Sequence, residues 1–202
     1  MARIVQSIKE KIGQMPVGEP FSSRELLALG TRAAVDQSLS RLAKSGELMR
    51  VARGVYVRPK QSRYVGAVVP EPQKIIEAKL LAENEKLQVH GAEAARQFEL
   101  TTQVPMIPVF CTSGSNRQFR VGNLRVKLTH LPPRKLVLAG TPAGAALSAL
   151  WYIGKRNIST AVIRKIEEKL PPAEFAALRA AIAAMPAWMV DAFYRYEQQS
   201  NG

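Results

Sequence analysis

Three helix-forming stretches followed at once by a two-stranded hairpin, all before residue 59, constrain this chain more than any other feature. Ile4, Val5, Ile8 and Ile12 recur at helical spacing up to Gly13. The turn-rich "MPVGEP" interrupts the run. Ser22 or Ser23 can cap a second helix, "SRELLALG", closed by Gly30. Thr31 can cap a third, "RAAVDQSLSRLAKSG", closed by Gly46. Then "RVARGVYVRP" reads as two short extended runs joined by Arg53-Gly54. This order is that of a winged helix-turn-helix.

On a helical wheel, Val35, Leu39 and Leu42 of the third helix share one face, the expected core face. Ala33, Gln37, Ser40, Arg41 and Lys44 fall opposite, and Arg32 stands at the helix start. Gln can pair with adenine and Arg with guanine in a major groove, whereas Arg41 and Lys44, late in the helix, suit phosphates. The hairpin carries Arg50, Arg53 and Arg58, with Gly54 permitting the turn and Val55, Tyr56 and Val57 anchoring the strands. Residues 1–70 hold twelve Lys/Arg against five Asp/Glu, within a chain of net charge +13. Such a balance suggests nucleic acid, an acidic partner protein or a membrane surface, and the helix plus hairpin point among these to double-stranded DNA. Arg32, Ala33, Gln37, Ser40, Arg41, Lys44, Arg50, Arg53 and Arg58 are therefore the expected DNA-binding residues.

Downstream, residues 59–72 are rich in proline and turn residues and read as a linker between a 1–58 domain and a 73–202 domain. The second domain opens with a helix from Pro72 and a short one in "GAEAARQFEL". An apolar extended run, "VPMIPVFCTSG", and a Gly122-Asn123 hairpin follow. The end is helical, with Thr141 and Ser159 as caps and Pro142 and Pro172 in first turns. The expected fold class is α+β: an N-terminal winged helix-turn-helix, then a mixed domain with a small antiparallel sheet and a helical C-terminus.

Catalytic signals are sparse. His90 and His130 lie far apart in sequence, and Cys111 sits alone in an apolar run, so no metal cluster of useful spacing is expected and no disulfide can form within the chain. His90 reads as a capping or packing residue, and His130 as a strand end. Glu77-Ala78-Lys79 has nuclease-like spacing but falls inside a helix. Ser113, Ser115 and Arg117 in "SGSNRQ" suit an anion or a turn equally. "TPAGAA" lacks the glycine-lysine spacing of a phosphate loop. No enzyme and no cofactor is expected. With no apolar run of spanning length and no cleavable leader, the expected location is the cytoplasm, away from membranes.

"LSRLAKSGELMRVARGVYVRP" resembles the winged-helix start of AbiEi-like antitoxins, the antitoxin half of type IV abortive-infection toxin–antitoxin pairs. "HGAEAARQFELTTQVPMIPVFCTSGSNRQFRVGNLRVKLTH" and "LVLAGTPAGAALSALWYIGK" resemble the body of the same antitoxins, so the likeness spans roughly residues 4–195. It implies an autorepressor that binds inverted repeats in its own promoter, as a monomer or weak dimer, with cooperative binding left open. It also implies a C-terminal domain that counters a nucleotidyltransferase-like toxin, commonly without a stable complex. No catalytic residues come with the resemblance. The other readings are a transcriptional regulator with a sensing or dimerisation domain, and a DNA-processing nuclease.

Overall fold

A computed structural model describes residues 2–63, 66–104 and 106–200. It is an α+β protein of two compact units, one of residues 1–85 with 120–124, the other of 86–119 with 125–202.

Unit 1 begins with α1 (Ala2–Gln14), which buries Ile8 and Ile12. The expected break after it holds strand β1 (Pro20–Ser22). Ser22 then starts a helical segment, Ser23–Leu29, through a full capping box: its hydroxyl accepts from the Arg24 amide at 3.2 Å, and its own amide donates to Glu25 at 2.7 Å. This stretch is a 3-10 helix rather than the expected α-helix. Seven residues between the cap and the Gly30-Thr31 break leave room for a short, tightened segment. Gly30 ends it with extended backbone, φ 172°, not the left-handed close the sequence suggests. Its lack of a side chain serves proximity instead, since a Cβ there would lie 3.0 Å from Ile4 Cγ2.

Helix α2 (Arg32–Lys44) is capped by Thr31, whose Oγ1 accepts from the Ala34 amide at 3.3 Å. Val35, Leu39 and Leu42 are buried as the wheel predicts, joining Ile8, Ile12, Phe21, Leu26 and Tyr56 in one core. Strands β2 (Met49–Ala52) and β3 (Val55–Val57) form the expected hairpin, and β1 adds to it in the antiparallel order β1-β3-β2. Every residue of β3 is buried.

The region expected to be a linker contains a second hairpin, β4 (Lys60–Ser62) against β5 (Gly66–Val68). Tyr64 and Val65 within it lie outside the described residues. Helix α3 (Pro72–Leu81), assigned by the sequence to the second domain, packs instead on β1 and β3 and buries Ile75, Ile76 and Leu80. The boundary therefore falls after Glu85 rather than within 59–72. Proline and turn residues in 59–72 mark a hairpin that leads the chain back onto its own sheet.

A four-stranded sheet built mostly from unit 2 has the order β6-β7-β9-β8, from β6 (Leu87–Val89), β7 (Val109–Thr112), β8 (Arg117–Val121) and β9 (Leu124–His130). The sheet is mixed: β6 and β7 run antiparallel, whereas β7 and β9 run parallel, with Val109 opposite Lys127. The antiparallel expectation follows from hairpin signals, which are local, and misses a pairing made across an intervening strand.

The helices of unit 2 are α4 (Gly91–Gln97), α5 (Pro142–Ile153), α6 (Thr160–Lys169), α7 (Pro172–Ala180) and α8 (Ala187–Ser200). Seven residues of α5 are buried, mostly small ones, and α4 crosses it so closely that a Cβ at Gly91 would meet the Ser148 carbonyl at 2.6 Å. Gly144 is tighter still: a Cβ there would lie 2.0 Å from the Leu138 oxygen, which the Thr141 amide and hydroxyl hold. Leu138 itself sits at φ +61°, a backbone region that leucine rarely adopts.

Candidate nucleic-acid interface

The exposed face of α2 and the β2–β3 hairpin together line a groove of about 550 Å³ in unit 1. From α2 come Arg32, Asp36, Ser40 and Lys44, and from the hairpin Arg50, Arg53 and Gly54. Arg24, Lys79 and Glu83 complete the charged lining, giving six cations against two acids. The local sequence explains each placement. Burial of Val35, Ser38, Leu39 and Leu42 turns the Arg32–Lys44 stripe outward. Gly54, at φ +77°, makes the turn that presents Arg53. The Ser23 amide donates to the Gly54 carbonyl at 2.9 Å, fixing the hairpin tip on the 3-10 segment.

The groove is electrically uneven. Arg32 pairs with Asp36 at 3.5 Å, both largely exposed, an arrangement that contributes only a few tenths of a kcal/mol. Lys79 pairs with Glu83 at 3.2 Å with both side chains mostly covered. Arg24 donates to the Ala82 carbonyl at 3.2 Å.

Of the residues expected from sequence, Arg32, Ser40, Lys44, Arg50 and Arg53 gather in this groove. Ala33, Gln37 and Arg41 are exposed on the same helix but outside its lining. Arg58 departs from the set. Its guanidinium donates to the Gly13 carbonyl at 2.9 Å and the Met15 carbonyl at 2.7 Å, satisfying the C-terminal end of α1. It is a structural residue, and it lines a different cavity with Lys9, Leu42 and Glu47.

Sequence reasoning misses Arg24, Asp36, Lys79 and Glu83. Arg24 and Asp36 are visible as polar positions flanking the chosen ones. The other two are out of reach, because the sequence places α3 in the wrong domain. Charge alone does not single out this groove either. Residues 100–166 hold ten Lys/Arg and no Asp or Glu. Several of those cations are occupied locally: Arg134 and Lys135 stand 5.1 and 4.5 Å from the Trp151 ring centre, and Lys165 donates to the Glu99 carbonyl. What distinguishes unit 1 is the convergence of cations from four elements on one concavity.

The chemical candidates of unit 2 are used in folding. His90 caps α4, its Nδ1 accepting from the Ala92 amide at 3.3 Å. Burial, then the charge of Lys127, lowers its pKa. His130 ends β9 and meets the Gly114 carbonyl through Nδ1 at 2.8 Å, while its amide donates to Asn116 at 2.6 Å. In "SGSNRQ", Ser113 accepts from the Lys86 amide and Arg117 donates to the Ser115 carbonyl, so these groups are engaged by backbone. The amides that open α5 are engaged by Thr141 and Glu174. Thr141 thus caps as expected, whereas Ser159 makes no side-chain cap bond. Cys111 is buried, and burial pushes its thiol up to about 11, which leaves it protonated and inert near neutrality. Glu77 lies in α3 and accepts from Gln73 at 2.9 Å. Among the described residues, no group of three or more His, Cys, Asp or Glu could hold a metal ion, and no helix is long and apolar enough to cross a membrane.

Residues 7–175 match the model of a family described as "Family of unknown function (DUF6088)", and the chain belongs to that family. No curated protein matches the sequence. Among solved structures, the crystal structure of RV2827C protein from Mycobacterium tuberculosis is similar at 14% identity, covering 91% of this chain and 76% of that one, with a TM-score of 0.42.

Proposed function

We propose that this DUF6088 protein binds double-stranded DNA through a winged helix-turn-helix formed by α1, the 3-10 segment, α2 and the β1-β3-β2 sheet. Helix α2 enters the major groove and Arg53 at the hairpin tip meets the backbone or the minor groove. The observation that carries this reading is the groove of about 550 Å³ in which Arg24, Arg32, Lys44, Arg50, Arg53 and Lys79 converge. A core-forming hairpin has no need of Arg50 and Arg53. A hairpin that lies against phosphates does.

The role that best suits this binding is autorepression by a type IV antitoxin. In this reading the second unit counters a nucleotidyltransferase-like toxin, and no step requires a catalytic residue. Support comes from the sequence resemblance over roughly residues 4–195 and from the structural use of the candidate catalytic residues of unit 2. The test is a salt series of binding isotherms with the full chain on its own promoter DNA and on a scrambled duplex. Arg50→Ala with Arg53→Ala should lower the salt slope by about two, one for each phosphate no longer neutralised. Equal, weak binding to both duplexes would end the operator reading. Co-expression with the product of the adjacent gene tests the antitoxin role, for which relief of growth arrest is the expected outcome.

A further inference from the structure

The groove contains one residue that a phosphate-binding surface should reject. Asp36 is an exposed carboxylate in the stripe formed by Arg32, Asp36, Ser40 and Lys44, flanked by Arg50 and Arg53. Against a phosphate backbone it is repulsive, and it offsets the attraction of its neighbour Arg32. Structural explanations for it are weak. Asp36 lies beyond the first turn of α2, where a negative charge best complements the helix dipole. Its ion pair with Arg32 is loose, at 3.5 Å, with side chains 60% and 50% exposed. Glu83, the other acid of the groove, is by contrast mostly covered and packed beside Lys79.

On a major-groove helix, however, an aspartate can serve to read bases. Ionised, it only accepts hydrogen bonds, so it can take the exocyclic amino group of cytosine but is repelled by the acceptor edge of guanine. Arginine has the opposite character and donates to guanine O6 and N7. Arg32 and Asp36 stand one helical turn apart on the same face, a spacing that lets two side chains meet neighbouring bases.

We propose that Arg32 and Asp36 form a reading pair for a G·C step, with Asp36 accepting from cytosine N4 and Arg32 donating to guanine. Lys44, Arg50 and Arg53 hold the flanking phosphates. This rests on the DNA-binding reading above and assigns base specificity within it to Asp36 rather than to Gln37. The loose ion pair is then the resting state of two side chains that exchange each other for bases when DNA arrives.

The experiment is selection from a randomised duplex library with the full-length wild type, Asp36→Ala and Asp36→Asn, followed by binding isotherms on the selected and random duplexes. Asp36→Ala should reduce the preference at one cytosine by about tenfold or more and should bind random DNA more tightly, because a repulsive charge is gone. Asp36→Asn should move the preference at that position towards adenine, which asparagine pairs with bidentately. Melting curves for both variants check folding, and a merely structural role would not change a base preference. A selected consensus that both variants leave unchanged overturns the proposal while leaving DNA binding intact. A position that changes but is not cytosine overturns the base assignment. Failure of the wild type to enrich any sequence overturns both this inference and the reading on which it rests.

Discussion

The two units use polar residues in opposite ways. In unit 1 the small polar residues cap helices, while Arg32, Lys44, Arg50 and Arg53 project from the finished fold into one groove. In unit 2 the chemically conspicuous groups face inward or onto their own backbone: Gln88 accepts from the Gly140 amide, Ser148 donates to the Val89 carbonyl, and His90 caps α4. A polar side chain is informative about function when its hydrogen bonds are not already required by the chain around it. By that measure unit 1 advertises a surface, and unit 2 advertises a tightly built interior.

The contrast can be broken hardest at Gly144. Gly144→Ala places a methyl 2.0 Å from the Leu138 oxygen, a backbone atom that cannot step aside. The expected destabilisation is more than about 4 kcal/mol, seen as collapse of the unit 2 transition in chemical denaturation. Gly46→Ala in unit 1 meets nothing within 4 Å and carries only the cost of φ +79°, about 1 kcal/mol. Similar destabilisation at the two glycines would contradict the tight interior ascribed to unit 2.

Next comes Leu39→Ala, which opens a cavity in the unit 1 core and should cost about 2–5 kcal/mol of stability. Arg50→Ala, eleven residues further along the chain and on the surface, should leave melting unchanged and, on the DNA-binding reading proposed above, weaken DNA binding. A variant at Arg50 that unfolds would show that the groove cations are structural.

Ser22→Ala removes half of a capping box and should cost about 1 kcal/mol by urea denaturation. The smallest effect concerns pH. Burial holds His90 below its ordinary pKa in the folded chain, so the unfolded chain takes up that proton first. Stability is complete above about pH 6.5 and declines as the pH falls through that value. His90→Asn, which keeps a capping side chain, should flatten that part of the melting-temperature profile. An unchanged profile would remove His90 from the acid response.

Much of unit 1 is legible in the sequence because its signals are local. Caps at Ser22 and Thr31, the Val35–Leu39–Leu42 stripe and the Gly54 turn each act within a few residues. The errors arise where distant partners decide. Strand β1 exists because Phe21 pairs opposite Tyr56, and α3 belongs to unit 1 because β1 and β3 offer it a surface. Arg58 looks like its neighbours Arg50 and Arg53 in sequence, yet α1, more than forty residues earlier, claims it. The groove is half visible: Arg32, Ser40 and Lys44 follow from helical periodicity and Arg50 and Arg53 from the hairpin signal, whereas Lys79 and Glu83 require the tertiary fold. In unit 2, the parallel β7–β9 pairing has no local signature.

The bond from the Ser23 amide to the Gly54 carbonyl has a calorimetric consequence. It closes the hairpin tip against the body of unit 1 before any ligand arrives, so docking there orders side chains and displaces water without folding backbone. Binding at the groove should then show the modest heat-capacity change of rigid surfaces meeting, well short of the large negative value that accompanies coupled folding.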